Sequence, residues 1–393
     1  MCIVVDRFYP PDHMHGLLRM GDVPGRSMAC APELAMLGAP PEPDDRAPRP
    51  LLFVDVETTG LAGGAGTYAF LVGCGLFEPN GFRIRQFFLP SYRHERVLLA
   101  QVEALVRGAA GLVSYNGKSF DVPVLETRFQ FNRLSPPFEL IGHVDMVHTA
   151  RRFWRSAPAS AGAWPETDSC RLSTLERVLF GVRRIGDVPG SEMPARYFDF
   201  MRSGDARPLE PVFEHNRLDL ISLACLTHRA VRVLAEAPSG SASARESLGA
   251  GRMLERAGRE EVAERCYRDA AERVLSERGP DGAWIRAEAL RLLALHCRRS
   301  GRHHEAADAW QGIVRDRRAP AGARRAALEA LAIHHEHRSK DLTAARRFAE
   351  LSLAERVGTR WMDGGRYRLA RLERKLTRPR PADGGMTTPL LEG

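Results

Sequence analysis

The segment 51-LLFVDVETTGL-61 decides how the first half of the chain is interpreted. Its apolar start predicts a buried β-strand, and two acids, Asp55 and Glu57, interrupt the apolar run near its end. Because side chains alternate along a strand, both carboxylates lie on the same face, about 7 Å apart. Two like charges beside a core are costly unless a cation neutralises them, so the segment predicts a cation site.

Two more acids lie where core packing does not explain them. Asp121 follows 115-YNGKSF-120 at a predicted junction between a strand and a helix. Asp219 lies in the helical segment 214-EHNRLDLISL-223, four residues after His215, so these two side chains share one helical face. We expect the fold to bring four carboxylates together, those of Asp55, Glu57, Asp121 and Asp219.

A site of carboxylate oxygens without cysteine suits the hard cations Mg²⁺ or Mn²⁺ rather than zinc. Two such ions about 4 Å apart serve phosphodiester hydrolysis, because one activates the water and the other stabilises the leaving oxygen. His215 is the candidate base for the attacking water, since the pKa of a histidine side chain lies near neutrality. The pattern therefore indicates a two-metal phosphodiester hydrolase.

Each of these residues also has a simpler explanation when it is taken alone. Asp55 and Glu57 would be the exposed end of a strand. Asp121 would be an acid favoured by the dipole at a helix N-terminus, and Asp219 with His215 would be an intrahelical pair. Only their occurrence together opposes these explanations.

Three neighbouring polar residues have open roles. Asn116 and Lys118 either contact a substrate phosphate or shape a turn. Asp145, in 143-HVDMVHTARR-152, is better explained as a helix cap than as a metal ligand.

The order of predicted elements indicates an α/β domain with a mixed sheet. Strands at 51–57, 67–77 and 82–89, joined by Gly-rich or Asn-Gly turns, have the spacing of an antiparallel meander. The later predicted elements are a helix at 93–107, a strand at 111–117, a helix at 118–129, a strand and helix within 141–154, and helices at 173–181, 194–203 and 208–236.

The second half of the chain is wholly helical in pattern after the linker 237-APSGSASA-244. The phrases 258-GREEVAERCYRDA-270 and 301-GRHHEAADAWQGI-313 align with each other, and 341-DLTAARRFAELSL-353 is a weaker third copy. Such periods indicate stacked helix pairs, similar to tetratricopeptide repeats. The predicted divisions are an N-terminal extension and linker at 1–49, the mixed-sheet domain at 50–236, a linker at 237–246, a helical-repeat domain at 247–375 and a disordered tail at 376–393.

Composition limits the class of protein. The seven cysteines are scattered and form no C-x-x-C pair, which argues against a disulfide framework and a cysteine zinc site. The basic excess behind the net charge of +8 lies in residues 241–393, where it fits either a surface for a polyanion or a solvated helical face. No segment has the pattern of a membrane span or a signal peptide, so we expect a soluble, cytoplasmic protein.

Three motifs, in order, resemble those of the DEDD 3′-to-5′ exonucleases in the ribonuclease H-like superfamily. They are Asp-x-Glu-Thr-x-Gly at 55–60, Asn-x-x-x-Phe-Asp at 116–121 and His-x-x-x-Asp at 215–219. More closely, the segments 55–73, 187–200 and 215–223 resemble the bacterial YprB-like ribonuclease H-like proteins, and the likeness covers residues 50–236.

The resemblance implies a ribonuclease H-like fold and a 3′-to-5′ exonuclease that acts with two ions, Mg²⁺ or Mn²⁺, on single-stranded DNA or RNA. It implies the same four metal ligands and His215 as the base, and its substrate-binding candidates are Thr58, Asn116 and Lys118. In the histidine-type enzymes the histidine usually precedes the last aspartate by five residues. His215 precedes Asp219 by four, the spacing of the tyrosine-type branch, which leaves its role as base open.

Two other functions remain open at this point. The domain would be a catalytically inactive scaffold that binds nucleic acid or protein, although its four retained carboxylates oppose this. Alternatively, it would keep the metals and cut nucleic acid internally. In each case the helical repeats would bind a protein partner on their concave face, or help to hold nucleic acid through their Arg-rich surface.

Overall fold

A computed structural model describes most of the chain, in two compact units, Met1–Cys266 and Tyr267–Gly393. The described residues are 2–23, 28–29, 31–39, 49–60, 64–139, 141–155, 170–240, 242–276, 281–355 and 362–377. Outside these ranges lie most of the predicted linker before residue 50 and, apart from its first two residues, the predicted tail. The predicted domain boundaries stay predictions.

The first unit is built on a six-stranded mixed sheet with the strand order β1-β6-β5-β4-β7-β8. The neighbouring pairs β1–β6, β6–β5 and β5–β4 are antiparallel, whereas the pairs β4–β7 and β7–β8 are parallel. The strands are β1 (Ile3–Tyr9), β4 (Leu51–Thr58), β5 (Ala69–Glu78), β6 (Gly81–Phe88), β7 (Gly111–Ser114) and β8 (Gly142–Asp145), and β2 (Met14–His15) pairs with β3 (Leu18–Arg19) in a separate hairpin. The predicted α/β class with a mixed sheet is confirmed.

The helices of the first half interrupt and follow these strands. Those before the long helix are α1 (Glu33–Leu37), α2 (Glu95–Arg107), α3 (Asp121–Phe131), α4 (Met146–Phe153), α5 (Leu172–Phe180) and α6 (Met193–Ser203). The long helix α7 (Glu210–Glu236) packs across β4, β5 and β6. An apolar core joins the sheet to α2, α3 and α6, with Leu98, Leu125 and Tyr197 buried against the strands.

A run of helices makes up the rest of the described chain, as predicted. Its members are α8 (Ala244–Arg256), α9 (Glu260–Arg273), α10 (Gly282–Arg299), α11 (His303–Arg315), α12 (Ala321–His337), α13 (Leu342–Ala354) and α14 (Met362–Thr377). Buried Glu336 of α12 accepts hydrogen bonds of 2.6 Å from Arg371 and Lys375, which ties α14 to α12. None of the helices described has both the length and the apolar character needed to cross a membrane.

The edge strand β1 is an element that the sequence analysis placed in the N-terminal extension. Its register with β6 runs from Ile3 opposite Phe88 to Tyr9 opposite Phe82. Asp6 of β1 pairs with Arg83 and Arg85 of β6 at 2.7 and 3.2 Å. Most of its side chains are exposed, so β1 lacks the alternation of buried and polar residues that predicts a strand.

Helices α2 and α3 are joined by a buried ion pair. The Arg128 guanidinium donates to both carboxylate oxygens of Glu95, at 2.5 and 2.6 Å, and both side chains are almost fully buried. The same guanidinium lies over the ring of Tyr68, 4.0 Å from its centroid. A bidentate pair of this kind is geometrically specific, and removing one partner strands the other charge in the core.

We therefore expect Arg128→Ala to lower the free energy of unfolding by about 3–5 kcal/mol, because the buried charge of Glu95 would lose its cation and keep, among the described residues, only the neutral donor Asn132. Arg107→Ala is the matched control, since Arg107 pairs with Glu103 on an exposed helical face. That variant should change stability by no more than about 0.5 kcal/mol. Urea unfolding followed by circular dichroism measures both; equal, small losses would contradict a structural role for the buried pair.

Candidate active site

Strand β4 presents Asp55 and Glu57 at its C-terminal end, where its pairing with β5 shifts register after Glu57. The first four residues of β4 are buried in the core, and the strand lies between β5 and β7. Burial, followed by the charges of Asp219 and Asp121, raises the pKa of Asp55 well above its usual value. The pKa of Glu57 is also well raised, first by burial and then by Asp55.

Asp121 begins α3 and is also buried. Its pKa is raised to about 8, first by burial and then by the charges of Asp145 and Asp219. The preceding turn needs both residues of Asn116-Gly117. Asn116 has a left-handed φ of 66°, which asparagine tolerates better than most residues. A Cβ at Gly117 would lie 2.3 Å from Ser114 Oγ and 2.8 Å from Asp121 Oδ2.

Helix α7 brings His215 and Asp219 to the same place, with His215 Nε2 3.5 Å from Asp219 Oδ2. Between them in the sequence, the fully buried Asn216 joins the helix to β4. Its Nδ2 donates to Asp55 Oδ2 at 2.7 Å and to the Asp55 carbonyl at 3.1 Å, while its Oδ1 accepts from Gln86 Nε2 at 2.9 Å. Gly73 of β5 makes room for it, because a Cβ there would lie 2.2 Å from Asn216 Oδ1.

The four predicted carboxylates therefore lie near one another. Asn216 bonds α7, which carries Asp219, to Asp55. After burial, the charges of Asp219 and Asp121 contribute to the raised pKa of both Asp55 and Glu57. Among the described residues no donor is hydrogen-bonded to the carboxylate of Glu57 or of Asp121. In that part of the chain no three of the four carboxylates bring ligand oxygens within 4.8 Å of one another. Asp55 accepts from Asn216 and Asp219 accepts from Arg184, so only part of the carboxylate charge is compensated. A set of carboxylate oxygens of this kind fits hard divalent cations.

The predicted substrate-binding residues lie beside the carboxylates. The Thr58 hydroxyl donates to the Gly60 carbonyl at 2.8 Å and is buried. Asn116 and Lys118 have exposed side chains. Their backbone N–H groups donate to the carboxylate of Asp145, at 2.7 and 3.1 Å, so both residues shape the turn. Contact with substrate stays a prediction for all three.

Asp145 is the helix cap that the sequence predicts. It is the N-cap of α4 and accepts from Val147 N at 3.1 Å, in addition to the two N–H groups of the Asn116 turn. Three backbone donors satisfy its buried carboxylate, in contrast to that of Asp121.

The polar residues that hold the helical side of the site were not predicted from the sequence. Asp187, between α5 and α6, accepts a 2.6 Å hydrogen bond from His215 Nδ1. Arg184, three residues earlier, donates to Asp219 and to Glu176 of α5. These residues lie in or beside a loop without periodicity, which carries no pattern from which their role is predicted. For Asn216 the sequence does carry a signal. Gly73 lies inside the strand β5, and a glycine inside a strand signals the close approach of another group.

The chain is similar to several known proteins. Residues 52–231 match the model of the RNase_H superfamily. The chain is 29% identical over 378 residues to the uncharacterized protein YprB of Bacillus subtilis (strain 168), an alignment that covers 95% of this chain and 86% of that protein. It is also similar to a solved family B DNA polymerase from the hyperthermophilic archaeon Pyrobaculum calidifontis, at 14% identity and a TM-score of 0.38, over 61% of this chain and 30% of the polymerase.

Replacing the buried aspartates Asp121 and Asp145 by asparagine should have opposite effects on the stability of the protein. Asp121→Asn should stabilise the protein in EDTA at pH 7, by about 1 kcal/mol or more, because an acid whose folded-state pKa is raised costs stability above its unfolded pKa. Asp145→Asn should destabilise it by about 1–2 kcal/mol, because an amide accepts the three backbone N–H bonds less well. Urea unfolding without divalent cations measures both, and changes of the same sign would contradict the contrast.

Proposed function

We propose, from the RNase H superfamily domain at residues 52–231, that this protein is a metal-dependent 3′-to-5′ exonuclease acting on single-stranded DNA or RNA. The observation that carries the proposal is the convergence of four carboxylates from β4, α3 and α7. Domains of this superfamily typically use divalent metals. The direction of cutting and the preference for single strands are supported by the three motifs in order.

The proposed roles divide these residues into metal ligands and a catalytic base. Asp55, Glu57, Asp121 and Asp219 would hold two Mg²⁺ or Mn²⁺ ions. When bound, such ions supply an activated water and neutralise the charge that develops on the phosphate and the leaving oxygen. His215 would take the proton of the attacking water at Nε2. Its other nitrogen, Nδ1, donates to Asp187, which favours the tautomer with an unprotonated Nε2.

An oligonucleotide assay tests the proposed function. A single-stranded substrate labelled at its 5′ end should be shortened one nucleotide at a time in Mn²⁺ and left intact in EDTA. Asp55→Asn should lower kcat by about 100-fold or more, because a lost ligand removes several kcal/mol of charge stabilisation. Asp6→Asn is the matched control, since Asp6 lies on the exposed edge strand β1, where it pairs with Arg83 and Arg85 of β6.

The substrate forms decide between the proposal and its rivals. A circular single strand should resist the enzyme, and cutting of it would show an internally cutting nuclease. Equal background from the wild-type protein and Asp55→Asn on every substrate would show a scaffold without nuclease activity. Matched DNA and RNA strands, with and without a duplex region, report the preferred nucleic acid.

For the helical second unit, with its predicted resemblance to tetratricopeptide repeats, we propose the binding of an acidic segment of a protein partner. A cavity of about 370 Å³ lies between α10, α11 and α12. Trp310 and several alanines form its apolar floor, and Arg298 and Arg338 lie at its rim. Glu329, the one acid among its described lining residues, lies 3.7 Å from Arg325. The net basic rim favours an acidic occupant carrying an apolar residue.

We also propose that the protein is located in the cytoplasm.

Selection of random peptides displayed on phage against the full chain tests this second proposal. The enriched peptides should be acidic with at least one large apolar residue, and Arg338→Glu should weaken their binding by about tenfold or more, because a like charge replaces an attractive one. Arg317→Glu is the control, since Arg317 is exposed outside the cavity. Enriched peptides that are neutral or basic, or that bind Arg338→Glu equally well, would overturn the proposal.

A further inference from the structure

Arg184 is a buried cation placed directly against the helical side of the site. It lies between α5 and α6, and its side chain is only 5% exposed. One of its terminal nitrogens, Nη2, donates to Asp219 Oδ1. The other, Nη1, lies 3.5 Å from Asp187 Oδ2 and 3.4 Å from His215 Nδ1. A single guanidinium therefore contacts the fourth predicted metal ligand, the candidate base and the acid that orients the base.

The position of Arg184 is fixed from the side away from the site. Glu176 of α5 is buried and accepts from Arg184 Nε at 2.6 Å and from Nη2 at 2.9 Å. The same carboxylate accepts from the Ser222 hydroxyl of α7, which lies 2.8 Å from His15 Nε2. Because a bidentate guanidinium–carboxylate pair has a fixed planar geometry, Glu176 determines where the remaining donors of Arg184 point.

The hydrogen bond from Arg184 makes the two carboxylate oxygens of Asp219 inequivalent. Oδ1 accepts from the fixed guanidinium, whereas Oδ2 lies 3.5 Å from His215 Nε2. An unsupported aspartate side chain would rotate between several orientations, and binding a cation would require ordering it. A hydrogen bond to one oxygen removes that freedom in advance and leaves the other oxygen for a ligand.

We propose that Arg184 is a positioning residue that, held by Glu176, orients Asp219 as a metal ligand through Oδ2 and, with Asp187, fixes the ring of His215. The inference rests on the proposed function for the identity of the site as a metal site. It adds that the site is built with a permanent cation of its own, which acts through Asp219 and His215 rather than on the substrate.

Metal binding without substrate is the first test, measured by calorimetric titration of the full chain with Mn²⁺. Arg184→Gln and Arg184→Lys should both weaken Mn²⁺ binding by about tenfold or more, the usual effect of losing a partner that orients a ligand. Lysine keeps the charge beside Glu176, but as a point charge it cannot donate to Glu176 and Asp219 in the planar geometry of arginine. Arg183→Gln, at the exposed neighbouring position, should bind as the wild type does.

The kinetics provide a second readout that a purely structural role would not change. With the oligonucleotide substrate, the Mn²⁺ concentration for half-maximal rate should rise about tenfold or more in both Arg184 variants, while KM for the oligonucleotide stays unchanged. Thermal melting in EDTA confirms that each variant is folded. If Arg184→Gln does not fold because Glu176 loses its partner, Arg184→Lys carries the test.

The outcomes separate this inference from the proposed function. Unchanged or tighter Mn²⁺ binding in the folded Arg184 variants would overturn the inference, and tighter binding would show that the guanidinium competes with the metal. Weaker binding in these variants, from a wild-type protein that binds Mn²⁺ but cuts no oligonucleotide, would support the inference and defeat the proposed function. A wild-type protein that does not bind Mn²⁺ would overturn both.

Discussion

The mutual repulsion of carboxylates at the end of β4 is the constraint on which the site depends. A strand in the middle of a sheet has its neighbours on both sides, so the acids it carries cannot turn away from the protein. Asp55 and Glu57 are held near Asp121 and Asp219, and burial, followed by the charges of neighbouring acids, raises the pKa of both. Such an arrangement is unfavourable in the protein without cations, and binding of the proposed cations would relieve that cost.

Other buried acids in the described part of the chain are treated differently. Glu95 is matched by Arg128, and Glu246 by Arg229 at 2.6 Å. Asp145 has no ion pair with a described residue, but it accepts three backbone N–H groups. The fold thus supplies a partner to a buried acid where the acid serves structure. The absence of any such donor at Glu57 and Asp121, among the residues described, sets the site apart from the core.

The sequence predicts the parts of this structure that follow from periodicity. The meander of β4, β5 and β6 and the helical run of the second half depend on apolar spacing, which is a local property. The meeting of Asp55 with Asp219 was predicted because two positions on regular elements have known faces. Arg184 and Asp187 were missed because their contacts depend on the path of an irregular loop, and β1 was missed because an exposed edge strand needs no apolar face.

The spacing of His215 and Asp219 shows how local geometry and loop placement act together. Residues four apart on a helix lie on one face, whereas a fifth residue would be rotated by about 100° more. With the spacing of four, His215 Nε2 lies 3.5 Å from Asp219 Oδ2. On the other side of the ring, Asp187 accepts from Nδ1, and the Arg184 guanidinium lies 3.5 Å from Asp187 Oδ2. A histidine at this spacing therefore depends on the loop before α6 for its orientation. The helical spacing and the loop together determine where the ring lies.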